Sequence, residues 1–312
     1  MQQRFAQISD PHLSSLENVR PRDLLNKRAL GYLSWRRKRR FEHRKEVLQA
    51  LQRDLRLEQL DQLLITGDLT HIGLPCEFQQ AASWLRQLGE PRQLALVPGN
   101  HDSCVRADWN DTYALWHDYM DSDQPAAEPD SIFPSLRVRG QLAFIGLSTA
   151  CPKPPLMATG TTDPEQLKRL PDMLKRAGTQ GLFRVVYLHH CPLPGLEKWR
   201  KRLTNAGAVQ EAIATGGAEL VLHGHGHRAH QHEISTGDGP APVMAVPSAS
   251  AMGLHGADLA SYNNYVVEPN AEGWLLEVNG RRYDPKLQQF VDGASQSLQI
   301  RRPGRQPFPG TP

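Results

Sequence analysis

Five short apolar runs of the 312-residue chain each lead into residues that commonly bind metals. The residues after these runs are Asp10 and His12, Gly67-Asp68, Gly99-Asn100-His101-Asp102, His189-His190, and Gly224-His225-Gly226-His227. Mixed carboxylate, amide and imidazole groups suit divalent ions such as Mn²⁺, Fe²⁺ or Zn²⁺. The set contains no cysteine, which argues against a structural zinc site. The pattern therefore predicts a catalytic rather than a structural site for divalent metal ions.

The elements that must position these residues alternate between strand-like and helix-like patterns. Near-continuous apolar runs such as residues 62–66 are typical of strands that are covered on both faces. Helical stripes are predicted at residues 44–57 and 77–88, and residues 162–165 mark a further helix start. We expect Pro171 to kink or split that helix. Together these patterns predict a layered α/β fold, in which ligands collect at the carboxyl ends of the strands.

The chain is predicted to form one domain over residues 1–290, followed by a flexible Pro-rich tail at residues 297–312. The four cysteines show no CxxC spacing and the N-terminus has no apolar signal-peptide core, so we expect a cytoplasmic protein with free thiols. No apolar run is long enough for a membrane-spanning helix. Nothing in the sequence indicates an oligomeric state.

The order of the five motifs resembles that of the calcineurin-like metallophosphoesterases. That family carries D-x-H, G-D, G-N-H-D or G-N-H-E, a later H, and then G-H-x-H. This chain has D-P-H, G-D-L, G-N-H-D, L-H-H and G-H-G-H in the same order, from residue 4 to about residue 230. The resemblance implies a four-layer α-β-β-α sandwich, with two mixed sheets flanked by helices.

The resemblance also implies two divalent metal ions, and a phosphoester cleaved by attack of a metal-bridging hydroxide. The implied ligands are two sets of three and one bridging residue: Asp10, His12 and His227 for one ion, Asn100, His189 and His225 for the other, and Asp68 between them. His101 would act near the leaving oxygen as general acid or transition-state stabiliser, and Asp102 would orient His101. Mn²⁺ is the expected metal, with Fe²⁺, Fe³⁺ or Zn²⁺ as alternatives.

Three further polar residues lie beside these motifs and are predicted to contact the substrate. His71 follows G-D-L closely, and it either faces the pocket or serves local structure. His190 follows the ligand of its pair, so a structural or outer-shell role is its alternative. Arg228 adjoins G-H-G-H and would meet a phosphate unless it is simply an exposed arginine.

Residues 20–45 carry eleven Lys and Arg against two acids, a net charge of 11 − 2 = +9 in a chain whose total is +3. Apolar residues are mixed into this run, among them Leu25, Leu33 and Trp35. Because the run starts soon after His12, we predict that residues 13–42, approximately, form an insertion that is part of the pocket wall or a lid.

This insertion has three competing interpretations. It forms a membrane contact, in which Leu and aromatic residues enter lipid while Arg residues meet anionic headgroups. Alternatively, it steers an anionic substrate such as a nucleotide or nucleic acid. In the third interpretation it is a solvated charge run whose apolar residues pack on the core.

The predicted function is hydrolysis of a phosphodiester or pyrophosphate bond in a small phosphorylated substrate. The compact spacing, with 100 − 68 = 32 residues from Asp68 to Asn100, favours a small-nucleotide phosphodiesterase that resembles bacterial cyclic-nucleotide phosphodiesterases. The insertion favours a UDP-2,3-diacylglucosamine pyrophosphatase-type hydrolase, acting on a lipid A precursor at the inner face of the membrane. A DNA nuclease and a non-catalytic metal-binding scaffold are further alternatives. Nucleic acid is not a favoured partner, because the chain outside the insertion is acidic overall.

Overall fold

The computed structural model describes residues 2–124, 132–254 and 256–302. The strands are β1 (Gln3–Ile8), β2 (Gln62–Ile65), β3 (Leu94–Leu96), β4 (Ser135–Arg139), β5 (Leu142–Gly146), β6 (Phe183–Tyr187), β7 (Leu220–His223), β8 (His230–Thr236), β9 (Gly239–Ala245), β10 (Ser261–Asn270), β11 (Gly273–Asp284) and β12 (Gln289–Arg301). The α-helices are α1 (Arg28–Ser34), α2 (Arg40–Glu42), α3 (Lys45–Leu55), α4 (Pro75–Leu88), α5 (His117–Met120), α6 (Pro164–Thr179) and α7 (Ala206–Gly216).

The strands form two mixed sheets of six strands each within the described residues. The first sheet has the order β12-β11-β10-β1-β2-β3, in which β1, β2 and β3 are parallel and β10 to β12 run antiparallel. The second has the order β4-β5-β6-β7-β9-β8, in which β5, β6, β7 and β9 are parallel and both edge strands are antiparallel. Each sheet therefore has a parallel part whose carboxyl ends point the same way.

Three apolar clusters hold the layers together. The inner cluster joins the facing sides of the two sheets, for example Phe5 and Leu64 of the first sheet with Phe144 and Val185 of the second. The outer face of the first sheet packs against α3 and α4, and the outer face of the second packs against α6 and α7. The predicted four-layer α-β-β-α sandwich is confirmed.

The helices form where the apolar stripes predict them. In α3, Val47, Leu48, Leu51 and Leu55 are buried together, which orients this helix on the first sheet. In α6, the Asp163 carboxylate accepts a hydrogen bond from the Glu165 backbone at 2.8 Å and caps the helix. Pro171 lies inside α6 without ending it, so of the two predicted effects, a kink or a split, the split is wrong.

The predicted end of the domain is also wrong. β12 runs to Arg301 and pairs with β11 along its length, so residues 297–301 belong to the first sheet and not to a tail. The pairing of two long strands overrides the polar composition of QFVDGASQSLQIR, because hydrogen bonds to β11 do not require apolar side chains. Residues 303–312 lie outside the described residues.

The basic insertion folds as short helical turns that are anchored at several points. Trp35 is buried with Leu16, Ile72 and Leu74 in a separate apolar cluster, so this tryptophan is not available to a lipid surface. Arg28 donates hydrogen bonds to the carbonyl oxygens of Ile72 (3.1 Å) and Gly73 (2.5 Å). The insertion is therefore a fixed wall of the fold on one side, and its other side faces solvent.

Candidate metal centre

The predicted metal ligands lie at the carboxyl ends of five parallel strands. Asp10 and His12 follow β1, Asp68 follows β2, and Asn100 follows β3 in the first sheet. The histidines follow strands of the second sheet: His189 after β6, and His225 and His227 after β7. The two sheets meet here, because Ser9 after β1 pairs with Ser248 after β9. Ligands from both sheets consequently share one site.

The backbone of the site is unusual at five of the seven predicted ligands. Asp10, His12, Asp68, His225 and His227 all have positive φ, between 42° and 68°. Such angles are uncommon for non-glycine residues, and they cluster at functional sites where the surroundings hold them in place. The backbone N–H groups of Asp10 and His12 donate to the carbonyl oxygens of Gly67 (3.0 Å) and Asp68 (3.1 Å), which ties the first loop to the second.

The first ligand cluster consists of Asp10, His12 and His227, whose nearest ligand atoms lie within 4.8 Å of one another. The Nε2 atom of His227 is 3.1 Å from Asp10 Oδ1. Asp10 Oδ2 accepts hydrogen bonds from the Ser9 hydroxyl (2.5 Å) and the His225 backbone N–H (3.0 Å), which leaves Oδ1 to the cluster. His12 Nδ1 contacts the Thr70 carbonyl oxygen at 2.8 Å, so its Nε2 is the ligand atom.

The second cluster is centred on His189. Its Nδ1 contacts the Thr66 carbonyl oxygen at 2.7 Å, and its Nε2 lies 3.2 Å from His225 Nδ1 and 3.3 Å from Asn100 Oδ1. The three predicted ligands of the second ion are thus adjacent. Asp68 lies between the clusters, because its carboxylate groups with Asp10 and His12 of the first cluster and with His189 of the second.

Close approach of the loops to Asp68 requires glycine at position 99. A Cβ atom built on Gly99 would lie 2.1 Å from Asp68 Oδ1 and 2.5 Å from the Asp68 backbone nitrogen. Gly224 is similarly constrained, since a Cβ there would lie 1.8 Å from the Ser9 hydroxyl oxygen. These glycines let three loops pack against the carboxylates without an intervening side chain.

The donor set fits divalent cations. His189 Nε2 lies 3.4 Å from Asp68 Oδ2 as well as near Asn100 and His225, so nitrogen and oxygen lone pairs converge on a buried space. Burial acts to lower the pKa of His189, but the carboxylates of Asp68 and Asp10 outweigh it and raise the value to about 9. The same negative potential favours a bound cation, and the mixed N and O ligands suit Mn²⁺, Fe²⁺ or Zn²⁺.

Residues 3–229 match the family model of the calcineurin-like phosphoesterases. The chain belongs to this family. Enzymes of the calcineurin-like family use dinuclear metal centres, and the His and Asp clusters of this chain fit such a site.

Solved structures with the same fold are distant in sequence. A dimetal phosphatase from Danio rerio is 14% identical with a TM-score of 0.50, over 93% of this chain and 98% of that one. A Thermus thermophilus protein is 12% identical with a TM-score of 0.48, over 94% and 99%. The NAD nucleotidase of Haemophilus influenzae is 12% identical with a TM-score of 0.47, over 96% of this chain and 49% of that one. The similarity to the Danio rerio structure shows the fold alone. Comparison with curated protein sequences gave no match.

Within the G-N-H-D motif, His101 lies beside Asp68, whereas the Asp102 carboxylate has other contacts. His101 Nδ1 lies 2.6 Å from the His71 carbonyl oxygen, and its Nε2 lies 3.9 Å from Asp68 Oδ2. The Asp102 carboxylate instead accepts hydrogen bonds from the backbone of Asp68 (3.0 Å), Thr70 (2.9 Å) and Gly99 (2.9 Å). The prediction that Asp102 orients His101 is therefore wrong. Asp102 fixes the Asp68 loop, because a buried carboxylate collects the free N–H groups around it.

The three predicted substrate contacts have different surroundings. His190 is fully buried, and its ring nitrogens contact the Thr149 hydroxyl (2.7 Å) and the Ala158 carbonyl oxygen (3.2 Å), which leaves neither for a substrate. His71 is buried and stacks on His12 at 5.1 Å between ring centroids, so it supports a ligand. Arg228 is exposed and donates to the Gly256 carbonyl oxygen at 2.8 Å. These placements match the structural alternatives for all three residues.

Two residues of the insertion reach the site and were not predicted. Arg39 ends a π-helical turn (Trp35–Arg39), and its Nη1 lies 3.0 Å from His101 Nδ1 and 3.3 Å from the His71 carbonyl oxygen. The His43 ring lies 4.3 Å from the His12 ring, and its Nδ1 is 2.9 Å from the Ser250 hydroxyl oxygen. A π turn shifts side chains around the helix axis, and here only Arg39 among Arg36–Arg40 is turned inward. The sequence signal was the position of the run directly after D-P-H.

Arg39 adds a permanent positive charge beside His101. Burial lowers the pKa of His101 well below its ordinary value, and the nearby Arg39 guanidinium lowers it further. Burial also lowers the pKa of Arg39, while the Asp68 carboxylate acts in the opposite direction. An arginine stays protonated under all ordinary conditions, so its charge next to a neutral imidazole is available to an anion.

We predict that Gly99→Ala strongly reduces metal binding, because the new methyl group would occupy the position of Asp68 Oδ1. Metal content measured after loading with Mn²⁺ should fall well below that of the unaltered protein. Gly207→Ala in α7 is the matched control, since a Cβ there meets nothing within 4 Å. Full metal content in Gly99→Ala would contradict the packing of the G-N-H-D loop on Asp68.

Proposed function

We propose that this protein hydrolyses phosphodiester or pyrophosphate bonds in small phosphorylated substrates. The reaction would use two divalent metal ions, for which Mn²⁺ is our first choice. The observation that carries the proposal is the meeting of two three-residue ligand clusters at the buried Asp68 carboxylate. When bound there, two divalent ions would hold a phosphate group between them and polarise it as Lewis acids. The metal-binding scaffold is the weaker alternative, because His101 and Arg39 add groups that metal binding alone does not need.

The protein's own residues hold and orient the substrate phosphate. Asp10, Asp68 and the ligand histidines place the ions, and their buried hydrogen bonds fix the ligand atoms before the substrate arrives. The His101 side chain is partly exposed, and its Nε2 lies 3.9 Å from Asp68 Oδ2. A side chain in this position would meet the leaving oxygen of a phosphate bound at Asp68. Arg39 lies behind His101 and stabilises negative charge that develops there.

The predicted cyclic-nucleotide phosphodiesterase activity is supported by the motif spacing alone. A specific observation favours the second candidate, a nucleotide pyrophosphatase of the UDP-2,3-diacylglucosamine type. Cleavage of a pyrophosphate releases a phosphate that already carries negative charge, whereas a simple diester releases an alcohol. The positive charge of Arg39, held behind His101, would stabilise the first kind of leaving group more than the second.

Metal-dependent turnover of bis-p-nitrophenyl phosphate tests the reaction class. We expect Asp68→Ala to abolish turnover and to lower metal content, because the bridging carboxylate is lost. His101→Ala should keep its metals and lose about 10²- to 10³-fold in rate, the usual range for removal of one preorganised hydrogen-bond donor. His232→Ala, an exposed histidine on β8, is the control and should be unchanged. Absence of Mn²⁺-dependent turnover in the unaltered protein on every phosphoester tried would refute the proposal.

Arg39→Met tests the choice of leaving group. On UDP-glucose, kcat/KM should fall by about 10²- to 10³-fold, as for removal of a preorganised charge donor. On bis-p-nitrophenyl phosphate the loss should be about tenfold or less, because the nitrophenolate leaving group spreads its charge over the ring and needs little stabilisation by the arginine. Arg37→Met changes an exposed neighbour in the same turn and should leave both activities unaltered. Equal losses on the two substrates would count against the pyrophosphatase candidate and leave the phosphoesterase assignment standing.

A further inference from the structure

Large apolar side chains of the basic insertion are exposed to solvent beside its cations. Leu25 is 85% exposed, and Leu30, Leu33 and Phe41 are each more than 40% exposed. The cations among them, Arg36, Arg37, Lys38 and Arg40, are also exposed. The insertion therefore keeps a mixed apolar and basic face in solvent while Trp35 anchors it from behind.

A second segment repeats this composition far away in the sequence. Residues 196–202 read LEKWRKR, with four cations and one acid. Trp199 is 59% exposed and Leu196 is 47% exposed. The four cations, Lys198, Arg200, Lys201 and Arg202, are exposed as well. No motif in the sequence marks this segment, and only the structure shows where it lies.

The structure joins the two segments at the edge of the metal site. Lys27 Nζ of the insertion donates to the Met157 carbonyl oxygen at 3.1 Å, and the next residue, Ala158, donates its N–H to the Arg200 carbonyl oxygen at 2.9 Å. Leu156, beside this junction, is 69% exposed. The Glu197 carboxylate lies against Gly226, between the ligands His225 and His227. Both segments therefore border the site.

The charge of the two segments contrasts with that of the other residues. Residues 20–45 carry +9 and residues 196–202 carry 4 − 1 = +3. Because the whole chain carries +3, the remainder sums to 3 − 12 = −9. A protein with this distribution is oriented by an anionic surface, with the metal site toward that surface.

We propose that residues 20–45 and 196–202 together form one surface that binds the anionic face of a lipid bilayer. Exposed Leu, Phe and Trp enter the boundary between headgroups and acyl chains, and the interleaved Arg and Lys meet the headgroup phosphates. A nucleic acid would use the same cations but would leave Leu25 and Trp199 in water. Binding to the bilayer does not depend on catalysis. If the protein is also a phosphoesterase, its substrate would be carried in the bilayer, and this second conclusion rests on the proposed function. No helix in residues 2–124, 132–254 and 256–302 is both long and apolar enough to span a membrane.

Vesicle flotation of the full chain tests the proposal. The unaltered protein should float with vesicles of phosphatidylglycerol and phosphatidylcholine, and it should stay behind with phosphatidylcholine alone. The triple variant Arg36→Gln, Arg37→Gln, Lys38→Gln should bind about a hundredfold more weakly, because each cation near an anionic surface contributes about fivefold. The variant Leu25→Gln, Leu33→Gln, Trp199→Gln should lose at least about tenfold in vesicle affinity, because three apolar side chains that enter the bilayer are removed.

The control variant is Leu57→Gln, Leu287→Gln, which changes two exposed leucines outside both segments and should bind as the unaltered protein does. Turnover of bis-p-nitrophenyl phosphate in solution should be the same in all these variants. Failure of the unaltered protein to float, or full binding by the Leu25, Leu33 and Trp199 variant, would overturn the proposal. So would charge-dependent binding to a DNA duplex without vesicle binding. Absence of turnover in the unaltered protein, with its vesicle binding intact, would instead refute the proposed function and leave this proposal standing.

Discussion

The Asp68 carboxylate must lie where two sheets meet, and much of the molecule is arranged around that requirement. One ligand cluster needs Asp10 and His12 from the first sheet with His227 from the second, and the other needs Asn100 with His189 and His225. No single loop supplies either set. The inner core between the sheets fixes the distance between these strand ends, and so apolar packing far from the site sets its geometry.

Burying several carboxylates in one place is unfavourable unless their charge is compensated. Asp10, Asp68 and Asp102 are almost completely buried, and their oxygens collect backbone N–H groups from neighbouring loops. Burial and the nearby Asp68 carboxylate raise the pKa of Asp102 to about 7. Positive φ angles at five ligands add local strain. Bound cations would stabilise this arrangement, because their charge offsets the cost of burying the carboxylates.

The sequence predicted the fold, and it predicted a set of residues that the structure brings together, because both depend on local patterns. Strands covered on both faces are apolar throughout, and the ligands follow directly after five of them. Strands β4, β8 and β12 have no such apolar run, and all three lie at sheet edges. Edge strands are half-exposed and lack a continuous apolar run, so composition alone did not mark them.

The features that the sequence did not predict depend on side-chain direction. Five consecutive cations occupy Arg36–Arg40, and only the π turn decides that Arg39 points toward His101. Asp102 follows His101 directly, yet its carboxylate turns to the backbone of Asp68, Thr70 and Gly99. Residues 196–202 border the site only because Ala158 pairs with Arg200.

Anomalous X-ray diffraction from a crystal soaked in Mn²⁺ would locate the bound ions themselves. We expect two peaks, one bound by Asp10, His12 and His227 and one bound by Asn100, His189 and His225, with an oxygen of Asp68 in contact with both. A single peak, or peaks that lie away from Asp68, would contradict this expectation.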